Sequence, residues 1–172
     1  MKIFLTMIVL LSSLYADRDG GPYLGLGYGE YTSKDSNPSA SKSENASSFI
    51  NAYAGAYINK HLSVELSYLR DYESNDASME FTALSVSTLA HYPFYDDMFD
   101  IYAKFGASNI GIKNFEDDGF GFIYGAGFGY RLSDLIGFKI AYDRYDFKYK
   151  ESLDVSHGMT VDCVYGAMEF QF

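Results

Sequence analysis

The sequence predicts an all-β fold, an eight-stranded antiparallel up-and-down transmembrane β-barrel. Three observations predict it. The final stretch, Val161 to Phe172, alternates with period two: Phe172, Phe170, Met168, Gly166 and Val164 share one face, and Gln171, Glu169, Ala167, Tyr165 and Cys163 the other. An apolar face opposite a mixed face suits a strand between lipid and a polar lumen. The composition, Tyr 17 and Phe 14 with Gly 16 and only Pro 3, suits aromatic girdles outside and small residues inside. Finally, no apolar stretch after Ala16 approaches the roughly 20 residues of a membrane helix.

Residues 1–16 read as a secretory signal peptide: Lys2, an apolar run from Ile3 to Leu14, and small Ala16 before charged Asp17-Arg18-Asp19. The run is too short to span a bilayer. Cleavage after Ala16 leaves residues 17–172 as a single barrel domain. A net charge of −10 argues against nucleic-acid binding, which uses a basic footprint. The acidic runs Asp71 to Asp76 and Glu116 to Asp118 read as solvated loop charge rather than a metal site. Cys163 is the single cysteine, so no internal disulfide is available, and it reads as a packed thiol. No cofactor site is expected.

The strands follow in order, each near the roughly 9–11 residues that a tilted membrane strand needs. Pro22 to Tyr31 places Leu24, Leu26 and Tyr28 toward lipid and Gly25, Gly27 and Gly29 inside; Glu30 then faces outward, which suits the outer rim or a bulge. Thr32 to Ser47, rich in Ser, Lys and Asn, is the longest loop. Ser48 to Ile58 is the second strand, and its faces are undecided. Leu62 to Tyr72 follows the turn Asn59-Lys60-His61, with Leu62, Val64, Leu66 and Tyr68 out and Ser63, Glu65 and Ser67 in. Met79 to Tyr92 leads to a turn from Pro93 to Asp97. Phe99 to Ile110 turns Tyr102, Lys104, Gly106 and Ser108 inward. Phe120 to Arg131 presents Phe122, Tyr124, Ala126, Phe128 and Tyr130 to lipid. Ile136 to Tyr149 turns Lys139, Ala141, Asp143 and Tyr145 inward, and Lys150 to Ser156 is a loop before the terminal strand. Short turns alternating with longer polar loops indicate an outer-membrane barrel with both termini periplasmic. A soluble sandwich would expose the band Phe122-Tyr124-Phe128-Tyr130 to water.

Inside, Glu65, Lys104, Arg131, Lys139 and Glu169 point into a narrow lumen, mainly in its periplasmic half. Buried charges are costly unless paired, so these five are expected to form an ion-pair network. Catalytic readings are weaker. His61-x-Ser63-x-Glu65 lies on one face but its members are about 6–7 Å apart, too far for a relay along one strand. Ser156 and His157 face opposite ways, and His91, at a strand end, reads as interfacial. The Gly25-Gly27-Gly29 and Gly125-Gly127-Gly129 series have strand spacing and no following helix, so they are not phosphate loops. No enzyme is expected.

Gly21 to Gly29, Leu62 to Tyr68, Ile101 to Ala107 and Phe138 to Phe147 resemble strands one, three, five and seven of the small OmpA/OmpX-type outer-membrane barrels. The resemblance implies a monomeric or weakly associating barrel in outer-membrane lipid and lipopolysaccharide that anchors loops and serves envelope integrity, adhesion or host contact. It also implies that Glu65, Lys104 and Lys139 plug the lumen, and that Phe170 and Phe172 carry the assembly signal read by the barrel-insertion machinery. The peptidoglycan-tethering domain of full-length OmpA has no counterpart in this length. Alternatives are a narrow channel for a small solute or a lipid A-modifying enzyme.

Overall fold

A computed structural model describes residues 20–35, 46–73, 81–112, 119–151 and 155–172. The signal-peptide assignment and the acidic run 116–118 lie outside these residues. Eight strands run in sequence order: β1 Gly21–Asp35, β2 Ser47–Asn59, β3 Leu62–Glu73, β4 Phe81–Phe94, β5 Phe99–Ile112, β6 Gly119–Arg131, β7 Ile136–Glu151 and β8 Val155–Gln171. Each pairs antiparallel with the next, and β1 pairs with β8 from Tyr23↔Gln171 to Asp35↔Met159, closing the barrel. Closure satisfies every strand and leaves no edge, which is what allows a sheet to cross lipid. The Phe172 amide donates to the Pro22 carbonyl at 2.9 Å, extending the seam to the last residue.

The outer face is apolar where alternation put it. Leu26 is 61 % exposed and Phe122 53 %, and Leu24, Tyr28, Leu66, Phe105, Ile140 and Met168 join them. On β2 the structure decides what the sequence left open: Phe49, Asn51, Tyr53 and Tyr57 are buried inside, and the alanines face out.

Several strand limits lie beyond expectation, most of all on β1, β7 and β8. β1 continues through 32–35, the start of the expected loop. β7 and β8 run to Glu151 and Val155, converting most of the expected Lys150 to Ser156 loop into a hairpin. At these ends the alternation continues with its polarity inverted: Arg144 and Asp162 face outward while Tyr145, Phe147, Met159 and Val161 are buried. Strands of 16 and 17 residues exceed what the bilayer needs, so their extracellular ends stand in water and pair there. Arg144 Nε meets Asp162 at 2.5 Å, with Tyr142 donating to the same carboxylate at 2.6 Å. Glu30 sits near this polar rim, and the register of β1 runs through it without a bulge. Asp71 lies within β3, not in a loop tip, and accepts from the Tyr31 hydroxyl at 2.8 Å.

β4 reaches Phe94, so Pro93 is in a strand rather than a turn. Pairing with β3 stops at Ala90, leaving one side of Pro93 without a ladder, where a residue lacking N–H is tolerated. The expected start at Met79 lies outside the described residues. The tight turn that follows holds Tyr95, Asp96 and Asp97 at φ of 57°, 54° and 59°. Left-handed backbone is unfavourable for residues with a Cβ. Asp96→Gly is therefore expected to raise stability by up to about 1 kcal/mol, read as a higher urea midpoint; a lowered midpoint would show that Asp96 contributes more than its backbone costs.

The lumen has two unlike halves, which corrects the expectation of a polar interior. Toward the extracellular end Phe49, Leu69, Phe81, Ile110, Ile123, Phe147, Met159, Val161 and Cys163 form a packed apolar core. Much of the aromatic content therefore fills the barrel rather than girdling it: Phe81 contacts Tyr31, Tyr145 and Phe147 at ring separations of 5.7, 5.7 and 6.3 Å. An interior of eight strands is just wide enough for side chains to fill.

Candidate functional site

Below the apolar core lies a layer of buried charge. Glu65, on the inward face of β3, is 2 % exposed and receives two cations: Lys104 of β5 at 2.9 Å on one oxygen and Lys139 of β7 at 3.1 Å on the other. Lys104 also meets Asp143 at 3.0 Å, and Lys139 meets Glu169 at 3.4 Å. Each carboxylate also accepts from a tyrosine hydroxyl: Tyr23 donates to Glu65 at 3.2 Å, Tyr165 to Asp143 Oδ2 at 3.0 Å and Tyr57 to Glu169 at 3.3 Å, while Asp143 Oδ1 is buried without a hydrogen-bond partner. The layer carries two cations against three carboxylates. Such charges are tolerated in a low-dielectric interior because each has an opposite partner and each carboxylate accepts a further hydrogen bond.

Glycines let these side chains fit. The Tyr53 ring lies over Gly25, Tyr23 over Gly55 and Tyr102 over Gly127, each filling the space where a Cβ would project. The three rings surround the Lys139 ammonium, which sits 3.6 Å from the Tyr53 centroid and 5.8 and 5.7 Å from those of Tyr23 and Tyr102. A desolvated ammonium over an aromatic face gains cation–π attraction in addition to its ion pairs.

Of the five charges expected to meet, Glu65, Lys104, Lys139 and Glu169 do. Arg131 stands apart. It is the last residue of β6, at the periplasmic mouth, and its guanidinium donates to the Gln171 side chain at 3.0 Å. Asp143 joins in its place. It stands four residues after Lys139 on the same strand face, so alternation and spacing together could have identified it.

A second constellation was not foreseen. His91 is buried in the lumen, 7 % exposed, not interfacial. Its Nδ1 is 2.8 Å from Asp100 Oδ2 and its Nε2 is 2.8 Å from Ser63 Oγ. The partner of Ser63 is thus across the β3–β4 pair, while His61 Nδ1 turns to the His91 carbonyl. The order Asp–His–Ser matches a nucleophilic triad in connectivity. Its geometry as a catalyst fails on access: Ser63 is 0 % exposed, and its hydroxyl lies between the His91 ring and the Tyr23 hydroxyl. Alternation along β4 from Ser85 through Ser87 and Leu89 already places His91 inward.

His91 and Asp100 border a small periplasmic vestibule of about 40 Å³, whose wall also includes Arg131, Lys139, Glu169 and Gln171. This is room for little more than water. Among the described residues no group of three or more metal-binding side chains occurs. Phe170 and Phe172 lie outward at the periplasmic rim, 43 % and 39 % exposed.

A closed eight-stranded barrel with a lipid-facing apolar band and a filled lumen defines a small integral membrane barrel of the bacterial outer-membrane type. The chain belongs to the family of the outer membrane protein beta-barrel domain, whose profile matches residues 3–166. No curated protein sequence gives a match. Among solved structures it is similar to Neisserial surface protein A, with a TM-score of 0.60 and 13 % identity over 89 % of this chain and 99 % of that one. It is also similar to OprG of Pseudomonas aeruginosa, at 0.60 and 12 % over 91 % and 98 %. Ail, the attachment invasion locus protein of Yersinia pestis, gives 0.58 and 14 % over 91 % and 100 %. At these identities the likeness is one of fold.

Proposed function

We propose that this chain is a plugged, non-enzymatic outer-membrane barrel that serves the envelope through its extracellular loops and its presence in the membrane. The observation that carries this reading is the filling of the lumen by an apolar core above a paired charge layer, which leaves no open path for solute. In this reading residues 1–16 direct export and are removed, and residues 17–172 insert as a monomer among phospholipid and lipopolysaccharide. Phe170 and Phe172 present the aromatic pattern that the insertion machinery reads. Deletion of Phe172 is expected to reduce outer-membrane yield sharply.

A surface-ligand role falls to the loops, chiefly the polar segment within Thr32 to Ser47. Ail has been crystallised with the heparin analogue sucrose octasulfate. A chain of net charge −10 is a poor match for such a polyanion, so a neutral or cationic surface ligand suits it better. An epitope tag near Ser39 is expected to stain intact cells, and replacing residues 36–45 with a short Gly-Ser link should preserve assembly while removing adhesion. Staining only after permeabilisation, or unchanged adhesion by the replaced chain, would overturn the loop assignment. The vestibule favours one second reading, a narrow channel, and swelling of proteoliposomes in small sugars would support it.

A further inference from the structure

We propose that His91 is a proton-responsive latch, joined by an unbroken line of side chains to the charge layer that closes the lumen. The line begins at the periplasmic vestibule and crosses four strands: Asp100 to His91 at 2.8 Å, His91 to Ser63 at 2.8 Å, Ser63 to Tyr23 at 3.4 Å, and Tyr23 to Glu65 at 3.2 Å, where both lysines converge. The apolar core lies on the extracellular side of the charge layer, and the end of the line at Asp100 and His91 opens on the periplasmic vestibule.

Counting hydrogens along the line shows why it responds. With a neutral imidazole, Nδ1–H donates to the Asp100 carboxylate, Nε2 accepts from the Ser63 hydroxyl, and Tyr23 donates to Glu65. The Ser63–Tyr23 contact then has two oxygens and no hydrogen between them. A proton added at Nε2 reverses the Ser63 bond: Nε2–H donates to Oγ, the Ser63 hydrogen turns to the Tyr23 oxygen, and Tyr23 still donates to Glu65. Every link is then filled, and hydrogen bonds in series polarise one another. Histidine ordinarily changes charge between about pH 5 and 8.

Titratable groups face His91 from several strands. Asp100 and Tyr102 approach from β5, Tyr57 from β2 with ring centroids 5.1 Å apart, Tyr23 from β1, and His61 from the turn before β3. Across the vestibule stand the carboxylates of Glu169 and Asp134 and the cations Arg131 and Lys139.

The test is a titration of the barrel in lipid nanodiscs from pH 5 to 8, with ring-¹⁵N histidine and ¹³Cζ tyrosine labels. It does not depend on whether the lumen conducts. In the wild type, the Tyr23 ¹³Cζ signal is expected to shift with the same midpoint as the His91 ring nitrogens. Ser63→Ala should leave His91 titrating and abolish the Tyr23 shift, and Ser63→Thr, which keeps the hydroxyl, should restore it. His61→Gln should change neither. The latch is refuted by a flat Tyr23 signal in the wild type, by a Tyr23 shift that survives Ser63→Ala, or by a His91 that keeps one protonation state throughout.

Discussion

Lys104→Ala is expected to lower stability by about 3–5 kcal/mol, the range for removing one member of a buried ion pair. The reason lies in the charge sum of the layer. Two lysines face Glu65, Asp143 and Glu169, a balance of −1. Without Lys104 the balance is −2, and Asp143 keeps only the Tyr165 hydroxyl. Glu65→Ala leaves two cations against two carboxylates, with Lys104 on Asp143 and Lys139 on Glu169, so it should cost less despite removing three contacts where Lys104→Ala removes two. Adding Asp143→Ala to Lys104→Ala should recover part of the loss, because coupled partners are not additive. Urea unfolding in lipid vesicles reads all four chains. Equal costs for Lys104→Ala and Glu65→Ala would show that lost contacts rather than unpaired charge set the energetics.

Gly55→Ala is expected to cost about 3 kcal/mol, at the upper end of ordinary overpacking. The added methyl overlaps the end of the Tyr23 ring and lies 2.5 Å from the Val64 carbonyl oxygen. Backbone cannot retreat without breaking the β2–β3 ladder, and Tyr23 cannot swing away without leaving Glu65. Gly166→Ala is the control: it faces outward on β8 with nothing within 4 Å of an added Cβ, and should be neutral. Tyr23→Leu combined with Gly55→Ala should be less damaging than the sum of the two. If Gly55→Ala matches Gly166→Ala, the glycine is not there to admit the tyrosine.

The strands on which one face meets lipid were the most legible part of the fold, because there period two and hydropathy agree. β3 is the clearest case, with Val64, Leu66 and Tyr68 outside and Ser63, Glu65 and Ser67 inside. Legibility failed where both faces are apolar or the polarity inverts. On β2 small alanines face lipid and aromatics fill the lumen, so hydropathy does not separate the faces. At the tops of β7 and β8 the outer face is wetted and the inner face packed, which reads as loop polarity until the strands are seen paired. The charge layer was partly legible because inward position follows from alternation alone. Arg131 was misplaced because alternation gives a face and not a depth. The Ser63–His91–Asp100 line needed the register of three strands, which no spacing along the chain contains.

Closure of the lumen is most directly tested by single-channel recording of the refolded barrel in a planar bilayer. An eight-stranded interior filled by side chains and braced by paired charge predicts, for the wild type, at most rare and small openings. Lys104→Ala should open more often, since the layer then holds an unpaired carboxylate that draws water. A steady conductance in the wild type, unaltered by Lys104→Ala, would contradict the account and make these charges the lining of a pore.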